Sequence, residues 1–375
     1  MDASMYRESR GNRQPKETKA VGWVTRLALL ALMFLLFESP SWSQTFDDAV
    51  NSACSSISSG TPPPPFSCGA ASSTGSPTAL SRETFPVDER KIKRLVGSLS
   101  VWLAGEYERF DKNLTKFEPG YTTDTGRATI GADYAFFDHR LIVGGAFTYA
   151  RTSGNFNGGG RLKTDSYSPQ LYLSIVPAPK YFIDINAGYA RKDSFLSRRP
   201  LGGTIAIVSS DTDINEFTVG ASGGYDFTFD NVTIGPRLGL HYKRTVIDGY
   251  RERGTTGAEL IYDKQTEDSL ISALGLYGSV AISTAIGVLV PQVNVKYLHE
   301  FADHQRRIKF RFAAAPAAGK FRFENDKPDR NYFELGTGIA MVLPHDLQPF
   351  LNYRALVGYK DQSSHIVTAG LRVAF

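Results

Sequence analysis

The chain has 375 residues, a formal net charge of only +4, and many Gly (35), Tyr (18) and Phe (24) residues. Its basic residues form no concentrated stripe, which excludes the usual kind of nucleic-acid binder. Beyond the N-terminal region no apolar run is long enough for a membrane-spanning helix. A transmembrane barrel stays possible, because its alternating lipid-facing and lumen-facing residues cancel in the average hydropathy.

Residues 1–43 have the features of a cleaved secretory signal peptide. Several Lys and Arg residues precede the apolar run at residues 27–37, and the small residues Ser41 and Ser43 follow it. The alternative, a transmembrane anchor, is disfavoured because the run is well short of the roughly 18 residues that span a bilayer. We therefore predict export across the inner membrane.

Residues 44–87 are rich in Ser, Gly, Pro and Thr and have no sustained periodicity, which is typical of a linker or a surface segment. Cys54 and Cys68 are the only cysteines, and they flank a run of prolines. In an exported chain two cysteines most simply form one disulfide. The alternative, a metal-binding pair, lacks a nearby His or a further Cys.

Residues 88–97, with the sequence DERKIKRLVG, predict a short basic helix. Ile92, Leu95 and Val96 fall on one helical face, Asp88 lies near the start, and Gly97 lies at the end.

From Ser98 onward the period of the pattern is two. In the segment SVWLAGEY and the Glu that follows it, the two faces of the strand differ. One face carries apolar residues or Gly, namely Val101, Leu103, Gly105 and Tyr107. The other face carries Trp102, Glu106 and Glu108. Such alternation is typical of a half-buried strand, and also of a strand between lipid and a polar lumen.

Twelve such runs are predicted, near residues 98–110, 125–137, 140–152, 163–176, 180–192, 212–228, 232–246, 266–282, 287–301, 331–343, 347–359 and 364–375. Short turns alternate with long polar loops, the longest at residues 111–124, 193–211, 247–265 and 302–330. This sorting and the even strand count are typical of an outer-membrane barrel. The predicted fold is therefore all-β, a 12-stranded antiparallel transmembrane β-barrel over residues 98–375, with its short turns in the periplasm.

Charged side chains at the inward positions predict a polar, nearly neutral lumen, since they would be costly against lipid. The predicted lumen-facing residues are Glu106, Glu108, Asp133, Asp184, Glu216, Asp226, Glu300 and Glu334 with Arg127, Lys192, Arg237, Lys243, Lys296, Arg354 and Arg372.

The barrel resembles the translocator domain of the autotransporters, the type V secretion proteins. The resemblance is carried by GADYAFFDHRLIVGGAFTYARTSG at residues 131–154, TVIDGYRERGTTG at 245–257, EDSLISALGLYGS at 267–279, PQVNVKYLHEF at 291–301 and the terminal GLRVAF. Their order and spacing cover the whole barrel.

The resemblance implies that the last strand is the signal read by the barrel-assembly machinery. That signal maps onto Val367, Ala369, Leu371, Val373 and Phe375. The resemblance also implies a helix inside the lumen just before the first strand, where residues 88–97 lie. The alternative for these residues is a plain linker in the periplasm or at the surface. Only about 50 residues separate the signal peptide from the barrel, far fewer than the usual autotransporter passenger, so secretion of a large effector is in doubt.

Two motifs suggest catalysis or metal binding, but their contexts do not fit. GASGG at residues 220–224 matches a nucleophile pattern that needs a strand-to-helix turn, yet Ser222 lies in the middle of a predicted strand. HEFADH at residues 299–304 has one residue too many for the zinc-protease motif. We predict no catalytic residue, no metal and no cofactor.

The predicted function is that of an outer-membrane barrel that translocates or anchors a short N-terminal segment, and that is not an enzyme. Two alternatives stay open: a passive pore, and a surface-enzyme barrel of protease or lipase type with Glu108, His299, Asp303 and His304 at its rim. The expected partners are outer-membrane lipid, lipopolysaccharide and the barrel-assembly machinery, with no nucleic acid, and we expect a monomer.

Overall fold

The computed structural model describes residues 99–137, 140–178, 180–199, 207–302, 304, 306–344 and 347–375. Twelve antiparallel strands of this region close into a single barrel, which confirms the predicted fold class. The predicted signal peptide, the predicted Cys54–Cys68 disulfide and the predicted helix at residues 88–97 lie outside the described residues. Among those described, no helix is long and apolar enough to cross a membrane.

The barrel strands alternate in direction and pair with their neighbours around the ring. In chain order, and with the short strands between them counted, they are β1 (Leu99–Lys112), β2 (Tyr121–Phe136), β3 (Leu141–Phe156), β4 (Gly160–Ala178), β5 (Tyr181–Arg198), β6 (Val208–Tyr225), β8 (Val232–Ile247), β11 (Gln265–Val280), β13 (Gly287–Glu300), β16 (Asn331–Val342), β17 (Leu347–Val357) and β18 (Gln362–Ala374). Two short strands extend the turns, β7 (Phe227–Phe229) and β12 (Ile282–Thr284). Four more belong to a separate small sheet: β9 (Tyr250–Arg251), β10 (Leu260–Tyr262), β14 (Arg307–Phe312) and β15 (Phe321–Glu324).

The ring closes where the first barrel strand meets the last. β1 pairs with β18 from Ser100 opposite Ala374 to Lys112 opposite Gln362. The Phe375 amide donates to the Leu99 carbonyl at 2.9 Å, so pairing continues to the final residue. No barrel strand is left with an open edge, which a lipid environment would not tolerate.

Side chains alternate strictly between the two faces of the wall, as a pleated strand requires. Along β1 the buried Trp102 and Ala104 point inward, while Leu103 and Tyr107 lie on the outer face with half or more of their surface exposed. Large apolar side chains cover the outer face of the other strands in the same way. Exposed apolar surface on this scale is suited to hydrocarbon rather than water.

One end of the barrel, here the short-turn end, has connections such as residues 226–231 and 281–286. The opposite long-loop end differs from the prediction. Strands occupy parts of residues 193–211 and 111–124, because β5 continues to Arg198, β6 begins at Val208, β1 extends to Lys112 and β2 begins at Tyr121. These extensions carry polar residues on their outer face, so the apolar alternation that marks the membrane-spanning part fades while the pairing continues.

The predicted polar loops at residues 247–265 and 302–330 are also not plain loops. They carry the small sheet, in the order β15-β14-β10-β9, and its apolar side packs against the inner wall of the barrel. The packed cluster consists of Leu162, Leu196, Ile214 and Ile247 from the wall with Tyr250, Leu260, Tyr262, Ile308 and Phe310 from the sheet. We call the described residues of 248–264 and 301–330 the cap.

Candidate functional site: the barrel lumen and its cap

The predicted lumen-facing residues all lie on the inward, buried or part-buried side of the wall. Asp133, Asp184, Glu216, Arg237 and Lys243 are buried, whereas Glu106, Lys296, Arg354 and Arg372 are part-buried. Most of these charges are joined by ion pairs that cross from one strand to another. They form several separate networks.

The first network crosses the seam between β1 and β18. Glu106 accepts hydrogen bonds from Arg127 of β2 at 2.7 Å and from Arg354 of β17 at 3.1 Å. It also accepts one from the Thr368 hydroxyl of β18 at 2.8 Å. Arg127 uses its second guanidinium nitrogen to bind Glu108. A single carboxylate on the first strand therefore contacts the second strand and the last two.

A second network holds the same seam nearer the short-turn end. Arg372 of β18 binds Asp133 of β2 through two hydrogen bonds of 2.6 and 2.9 Å. The Tyr172 hydroxyl of β4 donates to Asp133 at 2.9 Å and accepts from the Trp102 indole at 2.8 Å. Sequence reasoning missed the part played by Trp102 and Tyr172, although both follow the inward parity of their strands. Together the two networks connect β18 to β2 across β1.

Other lumenal charges pair on the other side of the ring. Lys192 and Lys243 lie 2.9 and 3.7 Å from the Glu216 carboxylate. Lys296 contacts Glu334 at 3.2 Å, and Arg237 contacts Asp226 at 2.6 Å. The cations and anions of the lumen thus offset one another, and the wall has little excess charge to select an ion.

The cap crosses the mouth of the barrel at the long-loop end. On one side Ile308 and Phe310 pack in the cluster with Leu196 and Ile214 of β5 and β6. On the other side Asp326 binds Lys112 of β1 at 3.2 Å. Because β1 lies across the ring from β5 and β6, the segment that carries these residues spans the opening from wall to wall.

Two buried ion pairs lie where the cap meets the rest of the barrel. Arg198 of β5 makes a two-point contact with Glu252, both bonds 2.6 Å long, and the Glu252 carboxylate also accepts from the Leu260 amide. On the β1 side Lys112 contacts Glu118 at 2.5 Å, and Glu118 accepts from the Asp326 amide. Sequence reasoning missed both pairs: Arg198 and Glu252 are distant in the chain, and Glu118 lies in a segment predicted to be a polar loop.

Glu118 makes one of these fastenings depend on pH. Burial raises the pKa of Glu118 to about 8, although the Lys112 ammonium opposes the rise. Between pH 4.5, the usual carboxyl pKa, and about pH 8, Glu118 is therefore protonated in the packed state and ionised in the unpacked state. Packing of residues 113–120 against the cap is strongest at the acid end of that window, weakens as the pH rises through it, and changes no further above about pH 8.

We expect trypsin to cleave after the exposed Lys116 faster at pH 8 than at pH 6, relative to the Glu118→Gln variant at the same pH. The variant removes the titration, and the ratio cancels the pH dependence of trypsin itself. Peptide mass spectrometry of the digest measures both rates. A ratio that stays constant across this range would contradict the assignment.

The residues of the surface-enzyme alternative are not brought together. Glu108 is buried in the lumen beside Arg127, whereas His299 lies on the outer face, where its Nδ1 is 2.7 Å from Asn331 Oδ1. Asp303 lies outside the described residues. Ser222 lies within β6 and opposite Asp184 on β5, with no strand-to-helix turn. Within the described part of the chain, no group of three or more His, Cys, Asp or Glu is placed to hold a metal ion.

The residues of the predicted assembly signal form the outer row of β18. Val367, Ala369 and Leu371 stand opposite Tyr107, Gly105 and Leu103 of β1. Val373 is part-buried, and Phe375 is exposed at the short-turn end.

Comparison with known proteins agrees with this architecture. The autotransporter beta-domain family matches residues 101–354. Outer membrane protein A of Rickettsia rickettsii is 27% identical over 253 residues, which are 64% of this chain and 11% of that protein. Lipase 1 of Photorhabdus luminescens is 21% identical over 255 residues, 66% of this chain and 38% of that protein. The chain thus spans well under half the length of these relatives.

Among solved structures, the translocator domain of the autotransporter NalP from Neisseria meningitidis superposes with a TM-score of 0.62 at 15% identity, covering 80% of this chain and 92% of that domain. The likeness in structure shows a shared fold, and the family match covers most of the twelve-stranded barrel. The chain therefore belongs to the autotransporter beta-domain family, whose members are barrels of the Gram-negative outer membrane.

Proposed function

We propose that this outer-membrane translocator barrel carries or anchors the segment before Leu99 through its lumen, after a signal peptide of 43 residues is removed. The observation that supports this is the direction of β1. Short turns mark the periplasmic end of such barrels, and β1 begins at Leu99 at that end. A segment that enters there reaches the cell surface only through the polar lumen.

Protease shaving of intact cells tests the proposal. We expect an epitope placed after Ser73 to be removed, because a translocated segment is exposed outside the cell. An epitope in the periplasmic turn at residues 226–231 should survive, and one at residues 313–320 in the cap should be removed. Should the epitope after Ser73 survive together with the periplasmic one, the segment remains inside and the proposal is wrong.

The outer row of β18 is, we propose, the signal for assembly of the barrel. Its apolar residues lie on the strand that must close against β1, so they are exposed until closure. Deletion of Phe375 should reduce the folded barrel in outer-membrane fractions severalfold, measured as the heat-modifiable band on a gel. Deletion of the exposed Leu114 in the opposite loop is the control. Equal yields from the two variants would refute the assignment.

The barrel itself is proposed to be a conduit and not a catalyst. One relative is named a lipase, but this chain matches only 38% of its length. Support comes from Glu108 and His299, which lie on opposite faces of the wall. A purified barrel that hydrolysed short ester substrates, and lost that activity in His299→Ala, would contradict this.

A further inference from the structure

A repeated pair of residues marks the upper boundary of the apolar band on the outer face. Four strands that run toward the long-loop end carry a Tyr followed two residues later by an Arg; the pairs are Tyr107 and Arg109, Tyr149 and Arg151, Tyr189 and Arg191, and Tyr242 and Arg244. Each tyrosine hydroxyl donates to an Asp or Asn of the adjacent strand at 2.6 Å. Below the tyrosines the outward residues are apolar. The arginines, about 6.6 Å further along each strand, are therefore at the depth of lipid headgroups.

The charge above this boundary is uneven. On β3, on β4 and just beyond the end of β5 the outward side chains include four cations and one carboxylate, a net charge of +3; the cations are Arg151, Arg161, Lys163 and Arg199, and the carboxylate is Asp165. We call these five residues the β3–β5 patch. Elsewhere on this level the arginines are balanced: Arg109 contacts Asp111 and Asp124, Arg191 contacts Asp193 and Asp213, and Arg244 contacts Asp268.

Two cations of the patch can donate hydrogen bonds to a ligand. Asp165 lies 3.6 Å from Arg151, so this carboxylate is already offset. Arg161 and Lys163 are exposed and make no ion pair with any carboxylate in the described part of the chain. Excess positive charge held at headgroup depth is complementary to a phosphorylated lipid.

The spacing of the patch suits a headgroup with more than one phosphate. In the register of β3 and β4, Lys163 lies opposite Ser153 and therefore diagonally across from Arg151, about 7–8 Å away between Cα atoms. Arg161 follows two residues further out. Guanidinium groups bind phosphate through two parallel hydrogen bonds, and an ammonium adds a point charge. Below them the Tyr149 and Tyr167 rings, 5.4 Å apart, give an apolar floor toward the acyl chains.

We propose that the β3–β5 patch binds the phosphate groups of the glycolipid that forms the extracellular leaflet of the outer membrane. The inference rests on the outer-membrane location of the barrel and not on passage of its N-terminal segment. It assigns a lipid-binding role to one sector of the outer wall, which the lumenal networks do not involve.

Native mass spectrometry of the full chain, purified from outer membranes in mild detergent, tests the proposal. The probes are vesicles that contain lipopolysaccharide, and vesicles that contain phosphatidylglycerol at the same charge density. The test variant is Arg161→Gln/Lys163→Gln. The control is Arg244→Gln/Lys264→Gln, which removes the same charge from two exposed cations that each pair with a carboxylate. Heat-modifiable migration on a gel checks that every variant is folded.

We expect the test variant to retain lipopolysaccharide at least about tenfold less than the wild type, because the loss of even one hydrogen bond to a charged group is worth a factor of that order. The control should keep the wild-type value, and inorganic phosphate should not displace the glycolipid. Equal loss in both variants, or equal retention of phosphatidylglycerol by the wild type, would reduce the effect to general charge and overturn the proposal.

Discussion

Replacing Arg127 with Met should lower the free energy of unfolding of the barrel by about 3–5 kcal/mol, the largest effect expected of any single lumenal substitution. Arg127, Glu106 and Glu108 each have less than a tenth of their side-chain surface exposed. Removing the guanidinium leaves two carboxylates close together and buried without their main cation. The cost follows from this uncompensated charge rather than from the value of the ion pairs themselves.

The seam position adds to the effect. Arg127 lies on β2, but through Glu106 its network reaches β17 and β18. Charge repulsion at this point acts on the pairing of the first strand with the last, which is the pairing that closes the ring. We therefore expect unfolding to begin at the seam in the variant, with no change in the lipid-facing surface.

Urea titration in detergent, followed by the fluorescence of Trp102, measures the change. Trp102 is the only tryptophan after residue 43 and lies buried against Tyr172 in the seam. The matched control is Arg244→Met, whose partner Asp268 is on the exposed outer face, where an ion pair contributes at most about 1 kcal/mol. The triple variant Arg127→Met/Glu106→Gln/Glu108→Gln should regain much of the stability. A triple variant no more stable than Arg127→Met would show that packing, and not charge, explains the loss.

The sequence predicts those parts of the structure that depend on one local rule, the alternation of outward and inward side chains. This period of two predicts all twelve barrel strands, because each must place apolar residues against lipid and polar residues in the lumen. The same rule put Glu106, Asp133 and Arg372 on one side of the wall. It could not predict that Arg372 meets Asp133 across β1, since that contact depends on the shear of the closed ring.

The cap escaped prediction for a different reason. Leu260, Tyr262, Ile308 and Phe310 belong to strands of three and six residues, too short to show a period. β10 pairs with β14, nearly 50 residues further along the chain, and both are embedded in polar segments. Only the three-dimensional contact with the inner wall distinguishes these residues from those of ordinary surface loops. The distinction matters, because an open mouth would favour a passive pore.

The cap predicts a second large effect, on permeability. Replacing Arg198 with Met should convert a barrel of low solute flux into a leaky one, with an increase of at least tenfold. Arg198 is the partner of Glu252, and both side chains are almost completely buried. Without the guanidinium, the buried carboxylate destabilises the packed cap by a few kcal/mol and favours a state in which Glu252 reaches water. In that state the cap has moved off the inner wall.

Arg253→Met is the matched control, because it removes the same group one residue from Glu252. The Arg253 guanidinium pairs with Asp211 at the exposed surface, where more than half of both side chains is in solvent. Its loss should leave the cap closed. Swelling of vesicles that contain each purified variant, in small neutral sugars, measures the flux. An Arg198→Met barrel as tight as Arg253→Met would mean that the cap is not the barrier.

A further comparison separates the cap from the N-terminal segment as the barrier to flux. Deleting residues 44–97 removes whatever part of that segment lies in the lumen, and leaves the Arg198–Glu252 pair in place. If the cap alone closes the barrel, the deletion keeps the flux low, and the deletion combined with Arg198→Met leaks only as much as Arg198→Met by itself. If the segment is a second barrier, only the combination leaks fully. In either outcome we expect the flux through the mouth to depend on the buried Arg198–Glu252 pair, because this pair holds the cap against the inner wall of the barrel.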